Sequence, residues 1–103
     1  MKHFVLIYDV TPDYPTRRAE FRAEHLELAW EAVARGELLL GGALTDPVDT
    51  ALLLFRCEAK EPIEAFVRAD PYFRNGLVAS YRIREWTTVV GDGAITPLRP
   101  PTP

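Results

Sequence analysis

"ELLLGGALTDPVDTALLLFRC", residues 37–57, contains two apolar runs separated by residues that favour a turn. The runs, at 37–44 and 50–57, are short and rich in leucine, and each of them predicts a β-strand. Between them lie Asp46 and Pro47, which are common turn residues. Two strands joined in this way predict a pair of neighbouring strands in the middle of the chain.

A helix is predicted on each side of this pair. On the N-terminal side the pattern predicts a long helix that begins at Pro15 or Thr16 and ends at Arg35. Gly36, directly after it, is a typical C-terminal stop. On the C-terminal side a second helix is predicted over 60–70, with a proline in its first turn.

Two further strands complete the pattern, "HFVLIY" at 3–8 and "LVASYRIREWTTVV" at 77–90. The order β-α-β-β-α-β predicts an α+β, ferredoxin-like fold, in which a four-stranded antiparallel sheet carries two helices on one face. We assign the domain to 1–92. The proline-rich end, 93–103, cannot join a sheet interior and is predicted to lie on the surface or to be disordered.

The predicted strands are apolar on both sides, although the helices cover only one face of the sheet. Residues 38–40 are consecutive leucines, and residues 52–55 are Leu-Leu-Leu-Phe. A bare apolar face of this size is unusual on a soluble monomer. The simplest cover is a second copy packed sheet on sheet about a two-fold axis, so the sequence predicts a homodimer.

The composition limits the classes of function. Hydrophobic residues make up 48% and charged residues 26% of the 103 residues, which is typical of a globular domain, and the net charge is −3. This charge does not favour a nucleic-acid or membrane partner. The single cysteine, Cys57, and the two histidines do not form a metal-binding pattern, and we expect no metal and no cofactor. The apolar runs are too short for a signal peptide or a membrane span, so we expect a cytoplasmic protein.

The long helix has an acidic face and an apolar face. The acidic face consists of Glu20, Glu24, Glu27 and Glu31. His25 lies in the middle of the opposite, apolar face, and Arg18 and Arg22 lie near its edge. Such a histidine is often a core residue whose ring bonds to the backbone. Alternatively, it lines a pocket, where an imidazole can take up or release a proton near neutral pH.

Asp70 occupies an inward position at the end of the second helix, where an apolar residue is expected. One explanation is structural, because Asp-Pro is a common helix start and Asp70 can cap the turn that begins at Pro71. The other is functional, because both helices pack on the same sheet face and Asp70 can orient the ring of His25. The two explanations are compatible. Tyr72 is then a candidate donor to a ligand or a packing aromatic.

Several segments together resemble the YCII-related (YciI-like) family of dimeric α+β barrel proteins. They are "RAEHL" (22–26), "GELLLGGAL" (36–44), "DPYFRNG" (70–76) and "YRIREWTTVVG" (81–91). The resemblance covers almost the whole domain and implies a site built from a histidine and an aspartate, here His25 and Asp70. It also implies the ferredoxin-like fold, the dimer and a lyase-like chemistry, but no substrate.

Three functions follow as hypotheses. The first is a cofactor-free enzyme of the lyase or isomerase type that acts on a small organic molecule. In it His25 is the general base or acid, Asp70 orients the ring, Arg22 binds a substrate carboxylate or enolate, and Tyr72 is a further donor. The second is a non-catalytic module that binds a small molecule or serves as an accessory subunit. The third, by analogy of fold alone, is a cofactor-independent oxygenase.

Overall fold

The computed structural model describes residues 1–101, and within them the predicted order of elements is confirmed. The elements are β1 (Lys2–Val10), α1 (Tyr14–Ala34), β2 (Leu38–Ala43), β3 (Thr50–Cys57), α2 (Glu61–Ala69), α3 (Pro71–Arg74) and β4 (Val78–Glu85). The short helix α3 is an addition to the predicted pattern. Gly36, with φ of +78°, adopts the left-handed conformation that ends the chain's longest helix.

The four strands form one antiparallel sheet in the order β2-β3-β1-β4. The first strand is therefore central, and Phe4 lies opposite Phe55 on one side and Glu85 on the other. This is the predicted four-stranded α+β arrangement. It places the β2 edge of the sheet beside the long helix α1.

The core lies between the sheet and the helices. Every second residue of β1 faces the helices, because side chains alternate across a strand. Phe4, Leu6 and Tyr8 are each at most 3% exposed. The short helix α2 adds its own apolar face, which consists of Ile63, Phe66 and Val67. The same packing layer brings the C-terminal end of α2 against the middle of α1, where the candidate site lies.

The opposite sheet face is apolar at its centre. Val5 and Ile7 of β1 are half-buried there, and Leu52 of β3 is 37% exposed. Arg82 and Arg84 lie beside them on β4, opposite Ile7 and Val5 in the register. The predicted second copy on this face stays a prediction.

The last strand is shorter than predicted. It ends at Glu85 rather than at residue 90. Glu85 lies opposite Phe4, and the partner strand β1 has only two residues before Phe4 with which β4 could continue to pair. The amide of Trp86 makes the final bond, to the carbonyl of His3. Residues 93–98 fold back on this segment through bonds such as Leu98 N–H to the carbonyl of Val89. The domain boundary at 92 stays a prediction, and residues 102–103 of the predicted tail lie outside the described residues.

No helix between residues 1 and 101 combines the length and the apolar character that crossing a membrane requires.

Candidate active site

A cavity of about 410 Å³ lies between α1, the β2 edge of the sheet and α3. Its walls come from α1, β2, the inner residues of β1 and β3, and Tyr72 of α3. Small-molecule sites typically have volumes of ~300–1,000 Å³, so the cavity is large enough for a small organic ligand. His25, Arg22 and Tyr72, which the sequence singled out, all line it.

Asp70 lies behind the cavity wall, between α2 and α3. Its backbone is extended, with φ of −70° and ψ of 120°, so α2 ends before it and α3 begins after it. The side chain caps α3, because Oδ1 accepts the N–H of Tyr72 at 3.0 Å. The predicted capping role is therefore present. The carboxylate is 0% exposed and must obtain all its hydrogen bonds from the protein.

The same carboxylate holds the ring of His25. Nδ1 of His25 lies 2.8 Å from Oδ1 of Asp70, across 45 residues of sequence. Because a carboxylate oxygen accepts, this bond places the ring proton on Nδ1 and leaves a lone pair on Nε2. Among the described residues Nε2 has no hydrogen-bond partner, and it is not fully buried. It is thus available to a ligand in the cavity.

Tyr8 supplies the third bond to the carboxylate. Its hydroxyl donates to Oδ2 of Asp70 at 2.8 Å, and the residue is only 1% exposed. Burial, and then the negative charge of Asp70, raise the pKa of Tyr8, so the hydroxyl remains a donor. The sequence pattern did not single out Tyr8. The available signal was its place in the inward series of β1, since a buried tyrosine hydroxyl normally has a partner.

Aromatic rings fix the plane of the His25 imidazole. Tyr72 stacks on it with ring centroids 3.9 Å apart and planes 16° apart. The ring of Phe66 is edge-on to the imidazole, with centroids 6.4 Å apart. Tyr14 packs edge-on against Tyr72, with centroids 5.5 Å apart. A ring held by one hydrogen bond and two aromatic contacts has little freedom to turn. These contacts restrict the orientation of the imidazole.

Arg22 and Arg18 bring positive charge to the same cavity. Burial raises the pKa of the Tyr72 hydroxyl, and the guanidinium of Arg22 nearby acts in the opposite direction. The guanidinium of Arg18 lies 5.4 Å from the centre of the Tyr14 ring, a cation–π distance. Among residues 1–101 neither arginine forms an ion pair, whereas Arg17 pairs with Asp13. Their charges are thus available to a ligand.

Residues 1–87 match the YCII-related domain family. The chain belongs to the YCII-related family. The resemblance noted in the sequence is thereby confirmed.

One solved structure similar to this YCII-related protein is the 5-chloro-2-hydroxyhydroquinone dehydrochlorinase (TftG) from Burkholderia phenoliruptrix, in complex with 2,5-dihydroxybenzoquinone. The TM-score is 0.70, and the match covers 84% of this chain and 94% of the dehydrochlorinase chain at 19% sequence identity. At this identity the likeness confirms the fold. No curated protein sequence matches the chain.

The Gly41–Gly42 pair and the single cysteine of this YCII-related chain have structural explanations. Gly41 and Gly42 line the cavity, and a Cβ on Gly41 would make a van der Waals contact with Cγ of Leu53 at 3.4 Å. A shift in the register of β2 against β3 lies just before them, between residues 38 and 40. Burial raises the pKa of the Cys57 thiol, which donates to the carbonyl of Ala59 and is a poor nucleophile.

Within residues 1–101, no three His, Cys, Asp or Glu side chains come close enough together to hold a metal ion.

Proposed function

We propose that this protein is a cofactor-free enzyme that moves a proton on a small organic molecule, with His25 as general base and then general acid. One observation carries the proposal. Nδ1 of His25 is hydrogen-bonded to a fully buried carboxylate, and the ring, whose Nε2 has no partner among the described residues, lines a cavity of ligand size. General acid–base catalysis requires this combination of an oriented ring and an accessible nitrogen.

The chemistry starts when Nε2 removes a proton from a carbon next to an electron-withdrawing group of the substrate. The electron pair of the broken C–H bond moves toward that group, and Arg22 stabilises the negative oxygen that forms. Asp70 stabilises the imidazolium of His25. In an isomerase the proton returns to another carbon, and in a lyase the electron pair expels a leaving group while a new double bond forms.

The structural relative supports the lyase form of the proposal, since it is named as a dehydrochlorinase and was determined with a dihydroxybenzoquinone. A dehydrochlorination is an elimination and needs a base at a C–H or O–H bond. Tyr72, whose ring stacks on His25, is the proposed further donor to the substrate.

The experiment is deuterium incorporation. A panel of small carbonyl compounds and carboxylic acids is incubated with the protein in D₂O, and the recovered compounds are measured by mass spectrometry. Incorporation that His25→Ala abolishes is the expected result.

A non-catalytic binding module is the second candidate, favoured by the two arginines of the cavity, which have no ion-pair partner among residues 1–101. The binding module is supported instead if compounds bind reversibly and none incorporates deuterium with the wild type or with His25→Ala.

We also propose that the protein is a homodimer, packed sheet on sheet, in the cytoplasm. Val5, Ile7 and Leu52 on the open face support this assembly, because a second copy would remove them from water. Light scattering at micromolar concentration should give about twice the chain mass of 11.6 kDa. A monomeric mass would rule out the dimer without affecting the proton-transfer proposal.

A further inference from the structure

We infer that the ligand of this cavity is an amphipathic anion, with a carboxylate or similar oxyanion at Arg18 and Arg22 and an apolar body directed toward Trp30 and Leu39. The inference rests on the proposed function only in taking the cavity as the substrate site. It adds the class of substrate and its orientation. Its three supports are the charge at one end of the cavity, the exposed apolar side chains at the other, and the position of His25 between them.

The cationic end is formed by two successive turns of α1. Arg18 and Arg22 are four residues apart, so both project from the same side of the helix. No aspartate or glutamate lines the cavity, and among residues 1–101 neither arginine has a carboxylate partner. Unneutralised guanidinium groups at the wall of a cavity favour an anionic ligand, and the planar fork of arginine suits a carboxylate.

The apolar end is formed by the next turns of α1 and by the β2 edge. Leu26 and Trp30 of α1 are 45% and 67% exposed, and Leu39 and Leu40 of β2 are 43% and 72% exposed. All four line the cavity. Large apolar side chains exposed together at the rim of a cavity are typical of a ligand-binding groove. An apolar ligand body would cover them.

The spacing along α1 orients the ligand. With a rise of ~1.5 Å per residue, His25 lies roughly 4.5 Å beyond Arg22 along the helix axis, and Trp30 lies roughly 7.5 Å beyond His25. An anion held by the arginines therefore brings a carbon a few bonds away from its charged group close to His25. The remainder of the molecule extends toward Trp30. The substrate class is thus a carboxylic acid, or a comparable oxyanion, that reacts close to its charge and carries an apolar chain or ring.

Binding is tested by tryptophan fluorescence. Trp30 and Trp86 are the two tryptophans of the chain, and only Trp30 lines the cavity, so Trp86→Phe leaves a single reporter at the rim. The probes are 3-phenylpropionate, its methyl ester and 3-phenylpropylamine, which share the same apolar body. We expect the carboxylate to quench the reporter with a Kd at least tenfold lower than that of the ester or the amine.

Variants separate the two ends of the cavity. Arg18→Ala combined with Arg22→Ala should remove the preference for the carboxylate over the ester. Arg17→Ala is the matched control, because Arg17 lies on the same helix but pairs with Asp13 outside the cavity. By calorimetry, Trp30→Ala should remove the gain in affinity from acetate to 3-phenylpropionate, whereas Trp86→Ala should retain it. Circular dichroism confirms that each variant is folded.

The outcomes distinguish this inference from the proposed function. Equal binding of all three probes, no saturable binding of the carboxylate, or an equal loss in the Arg17 control would overturn the inference. Proton exchange on neutral compounds that carboxylates do not inhibit would overturn it while supporting the proposed function. Tight, arginine-dependent binding of 3-phenylpropionate and of longer acids, with no proton exchange on any of them, would support the inference and argue against the enzyme.

Discussion

His25 and His3 are the two histidines of the chain, and each is held by a contact at Nδ1. His25 meets a buried carboxylate, Asp70, and lines the cavity with its Nε2 unpaired among the described residues. His3 meets the hydroxyl of Thr88 at 2.7 Å, and its buried Nε2 has no partner between residues 1 and 101. A carboxylate stabilises an imidazolium more strongly than a neutral hydroxyl does, so the first environment suits the proposed proton transfer better. The partner and the access of the ring, rather than burial alone, distinguish a reactive histidine from a packed one.

The largest expected effect separates these two regions directly. His25→Asn retains hydrogen bonding but cannot take up a proton, so turnover should fall by the ~10²–10⁴-fold typical of a lost general base. His3→Asn should leave turnover unchanged and lower the free energy of unfolding by ~1–3 kcal/mol, because His3 is buried. Proton-exchange rates and urea unfolding of both variants make the measurement. Greater loss of activity in His3→Asn than in His25→Asn would reverse our assignment.

The next effect concerns the carboxylate. Asp70→Asn can still accept the Tyr72 N–H through its amide oxygen, and from the sequence alone we would expect little change in stability. The structure alters this expectation, because Asp70 also accepts from Tyr8 and His25, and an amide NH₂ would face one of these donors. We expect a loss of ~1–3 kcal/mol in unfolding free energy together with a fall in turnover. Normal turnover in this variant would remove the orienting role of Asp70.

A smaller effect is expected at Tyr8, which donates a hydrogen bond to Asp70. Tyr8→Phe removes the hydroxyl that donates to Oδ2, and leaves the ring in the core. We expect a loss of ~1 kcal/mol in stability and a lower kcat with an unchanged KM, since Tyr8 positions the carboxylate rather than the substrate. Tyr81→Phe, also on a strand and without a bond to Asp70, is the matched control. A change in KM alone would place Tyr8 in ligand binding instead.

The sequence predicted the fold and the histidine–aspartate pair because both follow from local spacing. His25 and Asp70 are inward positions of two helices, and helices of a ferredoxin-like fold share one sheet face. Tyr8 could not be identified in the same way, since its partner is 62 residues away and its strand looks uniformly apolar. The end of β4 could not be predicted from the local sequence pattern either. It depends on where the partner strand begins, which is a property of the assembled sheet.

The smallest effect is a pH dependence of stability at His3. Burial, and then the positive charge of Arg56 opposite it in the sheet, lower the pKa of His3 in the folded protein below 6.5. The unfolded chain therefore binds a proton at a pH where the folded chain does not, and stability is lost as the pH falls below about 6.5.

His3→Gln cannot titrate in either state. The difference in unfolding free energy between the wild type and His3→Gln should shrink with acidification, by at most ~1.4 kcal/mol per pH unit. The remaining ionisable groups are common to both proteins and cancel in this difference. Urea unfolding at a series of pH values from 7.5 downward checks it, and curves that stay parallel would mean that His3 takes up its proton equally well in the folded protein.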